Sequence, residues 1–374
     1  MTGCGTQKAA GLLDVERRMA EALGRLGLAG CDATTVLMVS GGSDSTALAY
    51  AAAALRDAGA LGACVVLHVN HLLRGRAAED DARFAEAVAH ACGMAFQRRD
   101  IDVATLAHQE GGNVEAVGRH ARYEAAFSLA AGLERDAGAP EGSVRVLTAH
   151  TRDDRVENFF MRAIVGAAPG GLRGMRRQGG RIVRPLLDET RESLRSYLRQ
   201  RAEAGCPCVC DAAGALWRED ATNADVDRLR AFVRSRIVPA ARERNPQLST
   251  TLARTMDLVA DEDDFLEELA DAAWSAHVAP IGADAAAGFV LAPQLGAEPL
   301  VVRRRVVARA LRAMLGDDAR LDARSVASVV AALGEGVPAS GYVDNVQGDI
   351  AVSANKRGVR VEPMAALRAR RKRV

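Results

Sequence analysis

Val36-Leu37-Met38-Val39-Ser40-Gly41-Gly42-Ser43-Asp44-Ser45-Thr46-Ala47-Leu48 is the stretch around which this chain is built. An apolar, β-favouring run from Thr34 to Val39 stops at Ser-Gly-Gly, and a helix-forming run from Thr46 to Leu55 starts straight after it. That is the pattern of strand, tight loop and helix. Paired glycines permit turns closed to other residues and let a ligand approach the backbone. The loop N–H groups and the helix N-terminus then converge on one spot that favours an anion. Ser40, Gly41, Gly42, Ser43, Asp44 and Ser45 are therefore candidate phosphate-binding residues, with Asp44 placed to hold a metal ion against the anion. A plain Gly-Ser turn with a capping Ser or Asp is the alternative. The strand–loop–helix setting favours the phosphate loop, although not one of Walker A type, because no G-x-x-x-x-G-K-[ST] is present.

Outward from this stretch, helical and strand patterns alternate. A helix over 8–28 presents Leu12, Val15, Met19, Ala22 and Leu26 at three- and four-residue steps. Strands are expected over 63–69, 96–101 and 144–148, and helices over 79–92, 113–132 and 189–202. In the 79–92 helix, Phe84, Val88 and Ala91 share one face. Such alternation predicts an α/β fold with a doubly wound, mostly parallel sheet. Ligands on such sheets sit beyond the carboxyl ends of the strands, so the glycine loop, the Asn70 segment and the His150 segment can face one crevice. Asp154 and Glu157, three apart on a helix, could hold Mg²⁺ or orient a cationic nucleophile; acids complementing a helix dipole are the alternative, which suits Asp153 better. Arg119 and Arg122 share a helix face and could clamp phosphate. His68 and His71 lack a third ligand nearby and read as structural.

At 374 residues, with 49% apolar and 26% charged residues, the chain should hold two or three ordinary domains. No run of 18 apolar residues suggests a membrane span, and Met1 to Gly11 lacks a signal pattern. Seven cysteines, an odd number, fit a reducing cytoplasm better than a disulfide scaffold. Cys206, Cys208 and Cys210 read as unpaired thiols rather than a zinc site. The net charge of +1 hides segregation. Arg173, Arg176, Arg177, Arg181 and Arg184 follow one another without an intervening acid, and Arg368, Arg370, Arg371, Lys372 and Arg373 crowd the end. This suits a polyanion such as nucleic acid. From about residue 246 the pattern turns helical, with Leu258, Phe265, Leu269 and Ala272 as an apolar face and acids opposite. Further helices over 301–315 and 322–333 precede a β-hairpin around Asn355-Lys356-Arg357-Gly358.

Ser-Gly-Gly-x-Asp-Ser resembles the PP-loop of the ATP pyrophosphatase superfamily. The order of His-Val-Asn-His-x-Leu-Arg (from His68), Gly-Arg-x-x-Arg-Tyr (from Gly118), Ala-His-x-x-x-Asp-x-x-Glu (from Ala149), Arg184-Pro-Leu, Trp217-x-Glu219-Asp220-x-Thr222-Asn223 and Arg234-Ser-Arg236-Ile-x-Pro239 is similar to the tRNA(Ile)-lysidine synthetase family. The likeness is good over 33–250 and looser to 362. It implies an N-terminal helix over 1–32, a catalytic domain over 33–245, a smaller helical and α+β tRNA-binding domain over 246–362, and a basic tail over 363–374. It implies a cytoplasmic ligase using ATP and Mg²⁺, with free L-lysine and the CAU-anticodon isoleucine tRNA as partners; another PP-loop tRNA-modifying or small-molecule adenylating enzyme is the alternative. No membrane partner is implied, and a homodimer is compatible with it. Asp44, Arg119, Arg122, Asp154, Glu157, Arg234 and Arg236 are the implied catalytic residues, and Arg173, Arg176, Arg177 and Arg181 the implied tRNA contacts. The family usually has His at Thr151, Gln at Arg155, Thr at Asn158 and Asn at Ser235.

Overall fold

β1 (Thr35–Met38) is short and buried, because both of its faces are covered. Leu37 packs with Val66, Leu48, Phe84 and Leu194 on one side, while Val36 packs with Leu67, Val146, Ala126 and Ala130 on the other. A strand covered on both faces reads as an unbroken apolar run, as this one does. The computed structural model describes residues 11–30, 33–219, 228–316 and 321–372. Asp220, Thr222 and Asn223 of the tryptophan motif, and Arg373 of the tail, lie outside the described residues. The chain divides into two compact units, Met1–Asp257 and Leu258–Val374.

In the first unit, β2 (Cys64–Asn70), β3 (Ala95–Asp100), β4 (Arg145–Leu147), β5 (Gln178–Gly179) and β6 (Ile182–Val183) join β1 in the order β3-β2-β1-β4-β6-β5. All pairings are parallel except β5 with β6. The chain runs from β1 outward to β3, then returns to place β4 on the other side of β1, so the strand order reverses between β1 and β4. The helices are α1 (Asp14–Arg25), α2 (Ser43–Asp57), α3 (Arg76–Ala91), α4 (Val103–Glu110), α5 (Val114–Ala137), α6 (Arg152–Val165), α7 (Arg191–Glu203), α8 (Arg228–Phe232) and α9 (Val238–Arg244). α2 buries Ala47, Ala49, Ala51, Ala52 and Ala53, so small side chains let it lie close against its neighbours.

α10 (Leu248–His277) runs across the division between the units. In the second unit β7 (Val278–Pro280), β8 (Phe289–Leu291), β9 (Val343–Val346), β10 (Ile350–Asn355) and β11 (Gly358–Pro363) form an antiparallel sheet ordered β7-β8-β11-β10-β9. Val352, Val359 and Val361 pack with Val306 and Ala310 of α11 (Leu300–Leu315) and with Val329 and Leu333 of α12 (Ala323–Leu333). The hairpin pairs Asn355 with Gly358 across a two-residue turn. Gly358 has φ +134°, and a Cβ there would meet the Leu291 carbonyl at 2.2 Å. A basic helix, α13 (Met364–Arg371), follows.

Several expectations are corrected. α4 had no separate signal, because its eight residues are too few to establish a period. Ala91 is exposed, and Ala85 and Ala89 complete the buried face of α3 instead. In the arginine-rich stretch a 3₁₀ turn (Pro169–Arg173) leads into β5 and β6. The apolar residues read as the inner face of α10 are not the buried ones. Leu258, Phe265 and Leu269 are 57%, 60% and 40% exposed, whereas Asp263 is buried. The physical reason is α11, which presents arginines: Arg305 reaches Asp263 at 2.6 Å and Glu267 at 2.5 Å, and Arg309 reaches Asp271 at 2.6 Å while covering the Trp274 ring. Ala270 and Ala273 are the α10 residues buried in the apolar core of the second unit.

Candidate active site

Gly41 makes the loop after β1 turn. Its φ is +94°, a conformation costly for any residue with a Cβ, and its carbonyl accepts the Arg218 N–H at 2.9 Å. Gly42 has an ordinary φ of −70°, so the second glycine is not required by the turn; a Cβ there would make only ordinary contact with the Ser40 Oγ at 3.8 Å and the Arg218 carbonyl at 4.0 Å. The Ser45 hydroxyl meets the Ser40 N–H and hydroxyl at 3.1 Å, and the Thr46 hydroxyl donates to the Gly41 carbonyl at 3.2 Å, which hold the loop closed. No side chain caps α2, so the N–H groups of its first turn are left to a ligand.

This loop opens into a cleft of about 1020 Å³ at the reversal point between β1 and β4. Arg119 and Arg122 from α5, Asp154 from α6, and Arg234 line it with Ser40, Gly42, Ser43, Asp44 and Ser45. Arg234 belongs to a π-helical turn (Val233–Ile237) between α8 and α9; the widened turn directs it to Glu157, at 2.8 Å, while Arg236 is exposed and does not line the cleft.

Arg191 was missed from the sequence, where it reads as an ordinary first-turn residue of a helix. It joins the carboxylates together. Its Nη1 donates to Glu157 at 2.7 Å, its Nη2 donates to Asp154, and its Nε is 3.5 Å from Asp44. Arg230 approaches Glu157 from another side at 3.7 Å. Glu157 is therefore buried behind Asp154 rather than open to the cleft. Burial raises the Asp44 carboxyl above its ordinary range, partly opposed by the Arg191 guanidinium. Burial also penalises ionised Asp154, but Arg191 and the Thr151 N–H outweigh it and hold Asp154 below the ordinary range. Environments that push two carboxyls apart are a feature of acid–base sites.

The departures from the family pattern each have a local answer. Thr151 caps α6: its N–H and hydroxyl donate to Asp154 at 2.8 and 2.9 Å, which fixes that carboxylate's orientation. Arg155 is buried and pairs with Asp257 at 2.5 Å. Asn158 accepts from Arg162 at 2.9 Å, and the Ser235 hydroxyl donates to the Ala231 carbonyl at 2.7 Å. His71 and His150 line the cleft and burial pushes each imidazole down to about 4, so both are neutral near pH 7. Arg177 pairs with Asp188 at 2.6 Å and Arg181 pairs with buried Glu134. Arg173 ends the 3₁₀ turn, and the Arg176 carbonyl accepts from Arg184. Cys206, Cys208 and Cys210 are free thiols. Among the described residues no group of three His, Cys, Asp or Glu side chains could hold a metal, and no helix is long and apolar enough to cross a membrane.

The tRNA(Ile)-lysidine synthase of Thermus thermophilus is 39% identical over 287 residues, which are 76% of this chain and 50% of that protein. The protein of the same name from Geobacter sulfurreducens is 35% identical over 288 residues, 76% of this chain and 56% of that one. The chain thus spans about half the length of these curated relatives. Among solved structures, the U34-tRNA thiolase NcsA from Methanococcus maripaludis aligns with a TM-score of 0.48 at 14% identity, covering 66% of this chain and 79% of that one. The sequence pattern of the PP-loop domain matches residues 13–241, which hold the glycine loop, the reversal point and the carboxylate cluster. That match covers more than half of the chain, and the chain belongs to the PP-loop domain family.

Proposed function

We propose that the chain ligates lysine to C2 of the wobble cytidine in the CAU-anticodon isoleucine tRNA, through an adenylated cytidine. The observation that carries this reading is the pairing, in one cleft, of an uncapped phosphate loop with the Asp154 carboxylate and its Arg191 and Glu157 partners. One part receives an anion and the other receives a cation. The names of the two curated relatives support it further.

In the first step the cytidine O2 attacks the α-phosphorus of ATP, and pyrophosphate leaves. The loop N–H groups and the Ser40 and Ser45 hydroxyls hold the pyrophosphate charge, and Arg119 and Arg122 stabilise it from α5. Asp44 fits a Mg²⁺ ion, since one hard carboxylate beside a phosphate loop is the protein share such an ion commonly takes. Bound there, it would neutralise charge on the pyrophosphate. In the second step the lysine ε-amine attacks C2, and the C2–O bond breaks to release AMP. Asp154 orients the ammonium, whose proton leaves to solvent as the free amine forms. Glu157 supports Asp154 from behind by fixing Arg191 and Arg234. Arg173 and Arg176 contact the tRNA backbone.

The test is incubation with ATP, Mg²⁺, radiolabelled lysine and either the isoleucine or the methionine tRNA with a CAU anticodon. Label entering the isoleucine tRNA alone, dependent on ATP, is expected. ATP cleavage to AMP and pyrophosphate without label in either tRNA would discard lysine or this tRNA as the acceptor.

A further inference from the structure

Asp154, proposed to receive the lysine, and Glu157 behind it are already neutralised. Asp154 gives Oδ1 to Arg191 and Oδ2 to the Thr151 N–H and hydroxyl. Glu157 accepts Arg191 at 2.7 Å and two Arg234 nitrogens at 2.8 and 3.0 Å. An entering ammonium therefore meets lone pairs that face internal cations, and it gains little until one of those cations moves. Arg191 has another anion to move to. Its Nε is 3.5 Å from Asp44, in the first turn of α2 beside the phosphate loop. Its backbone is pinned, with the N–H donating to Asp153 at 2.8 Å, while its side chain lines the cleft and is 25% exposed. Phosphate oxygens seated on the loop would compete for this guanidinium, whose planar fork suits them.

We infer that Arg191 is a positioning residue that couples the two small substrates: it covers the Asp154–Glu157 pair until nucleotide phosphates draw it toward the loop, and it thereby admits the lysine ammonium to the nucleotide-loaded enzyme. The inference rests on the lysine-ligating reading above. By linkage, lysine tightens nucleotide binding by the same factor by which nucleotide tightens lysine binding.

The experiment measures radiolabelled lysine binding to the full chain, with and without a non-hydrolysable α,β-methylene ATP analogue and Mg²⁺. Wild type, Arg191→Met and Arg191→Lys are compared. In wild type the analogue should tighten lysine binding at least about 10-fold. In Arg191→Met, lysine should bind the empty enzyme about as tightly as it binds loaded wild type, and the ratio should fall to about 1. Arg191→Lys should keep an intermediate ratio. A merely structural role would weaken both affinities together and leave the ratio unchanged, and that result overturns the inference. Should Arg191→Met fail to fold, a wild-type ratio in Arg191→Lys overturns it. Wild type that binds the analogue but no lysine in either state removes the lysine reading, and the inference with it.

Discussion

Two carboxylate–arginine networks in this protein are built from the same parts and stand in different settings. Asp44, Asp154 and Glu157 meet Arg191 and Arg234 beside the glycine loop. Asp263, Glu267 and Asp271 meet Arg305 and Arg309 between α10 and α11. Each contains a buried carboxylate, Glu157 in the first and Asp263 in the second, held by guanidinium groups. The first faces a cleft of about 1020 Å³ at a strand-order reversal, next to an uncapped helix N-terminus. The second joins two helices, with Trp274 under an arginine. Paired charge is thus not a site by itself. It becomes one where the fold leaves room for a ligand and supplies a second, complementary group.

The comparison breaks if the first network tolerates neutralisation. Asp44→Asn should lower lysidine formation on the order of 100- to 1000-fold while leaving the circular dichroism spectrum unchanged; near-normal turnover would remove Asp44 from the mechanism. The second network should show the converse. Arg305→Met strands a buried Asp263 and should cost about 3 kcal/mol in denaturant unfolding, with lysine incorporation unaffected at temperatures where the variant is folded. Asp154→Asn sharpens the contrast within the cleft: the KM for lysine should rise about 10-fold or more, and that for ATP by much less. Equal changes would count against Asp154 as the ammonium partner.

Smaller effects separate the arginines of the 173–184 stretch. Arg181→Ala breaks the pair with Glu134, whose carboxyl the Arg181 guanidinium holds down at about 2; it should lower stability and leave the salt dependence of tRNA binding as it was. Arg173→Ala should instead reduce the slope of log affinity against log salt by about 1. An effect confined to acid pH concerns His71 and His150. Their folded pKa values of about 4 lie below the unfolded value near 6.5, so the unfolded chain binds more protons between these limits. Their stabilising share is complete above pH 6.5 and is lost as pH falls toward 4. His150→Asn should flatten that part of the stability profile measured by thermal unfolding.

The glycine loop and its flanking strand and helix were legible in the sequence, because backbone freedom at Gly41 and an apolar run in β1 are local properties. The alternation of strands with helices likewise announces a parallel sheet, since each parallel connection needs a crossover. Asp154 and Glu157 were legible as a helical pair, but not that Glu157 sits behind Asp154. Arg191 carried no signal, because its partners are 34, 37 and 147 positions away in the chain. The same holds for Arg181 with Glu134 and for Arg177 with Asp188, where a basic run in sequence becomes a set of neutralised pairs in space. On α10 the helical period was right and the buried side was wrong. Periodicity states that a helix has two faces, and the element packed against it decides which is inside: α11 brought arginines, so Asp263 was buried and Phe265 was left in water. The sequence by itself determined the elements, the loop and the order in which they occur. Which charges meet, which are covered and which remain open to a ligand was decided only when distant segments packed, because electrostatic pairing depends on separation in space and on burial rather than on distance along the chain.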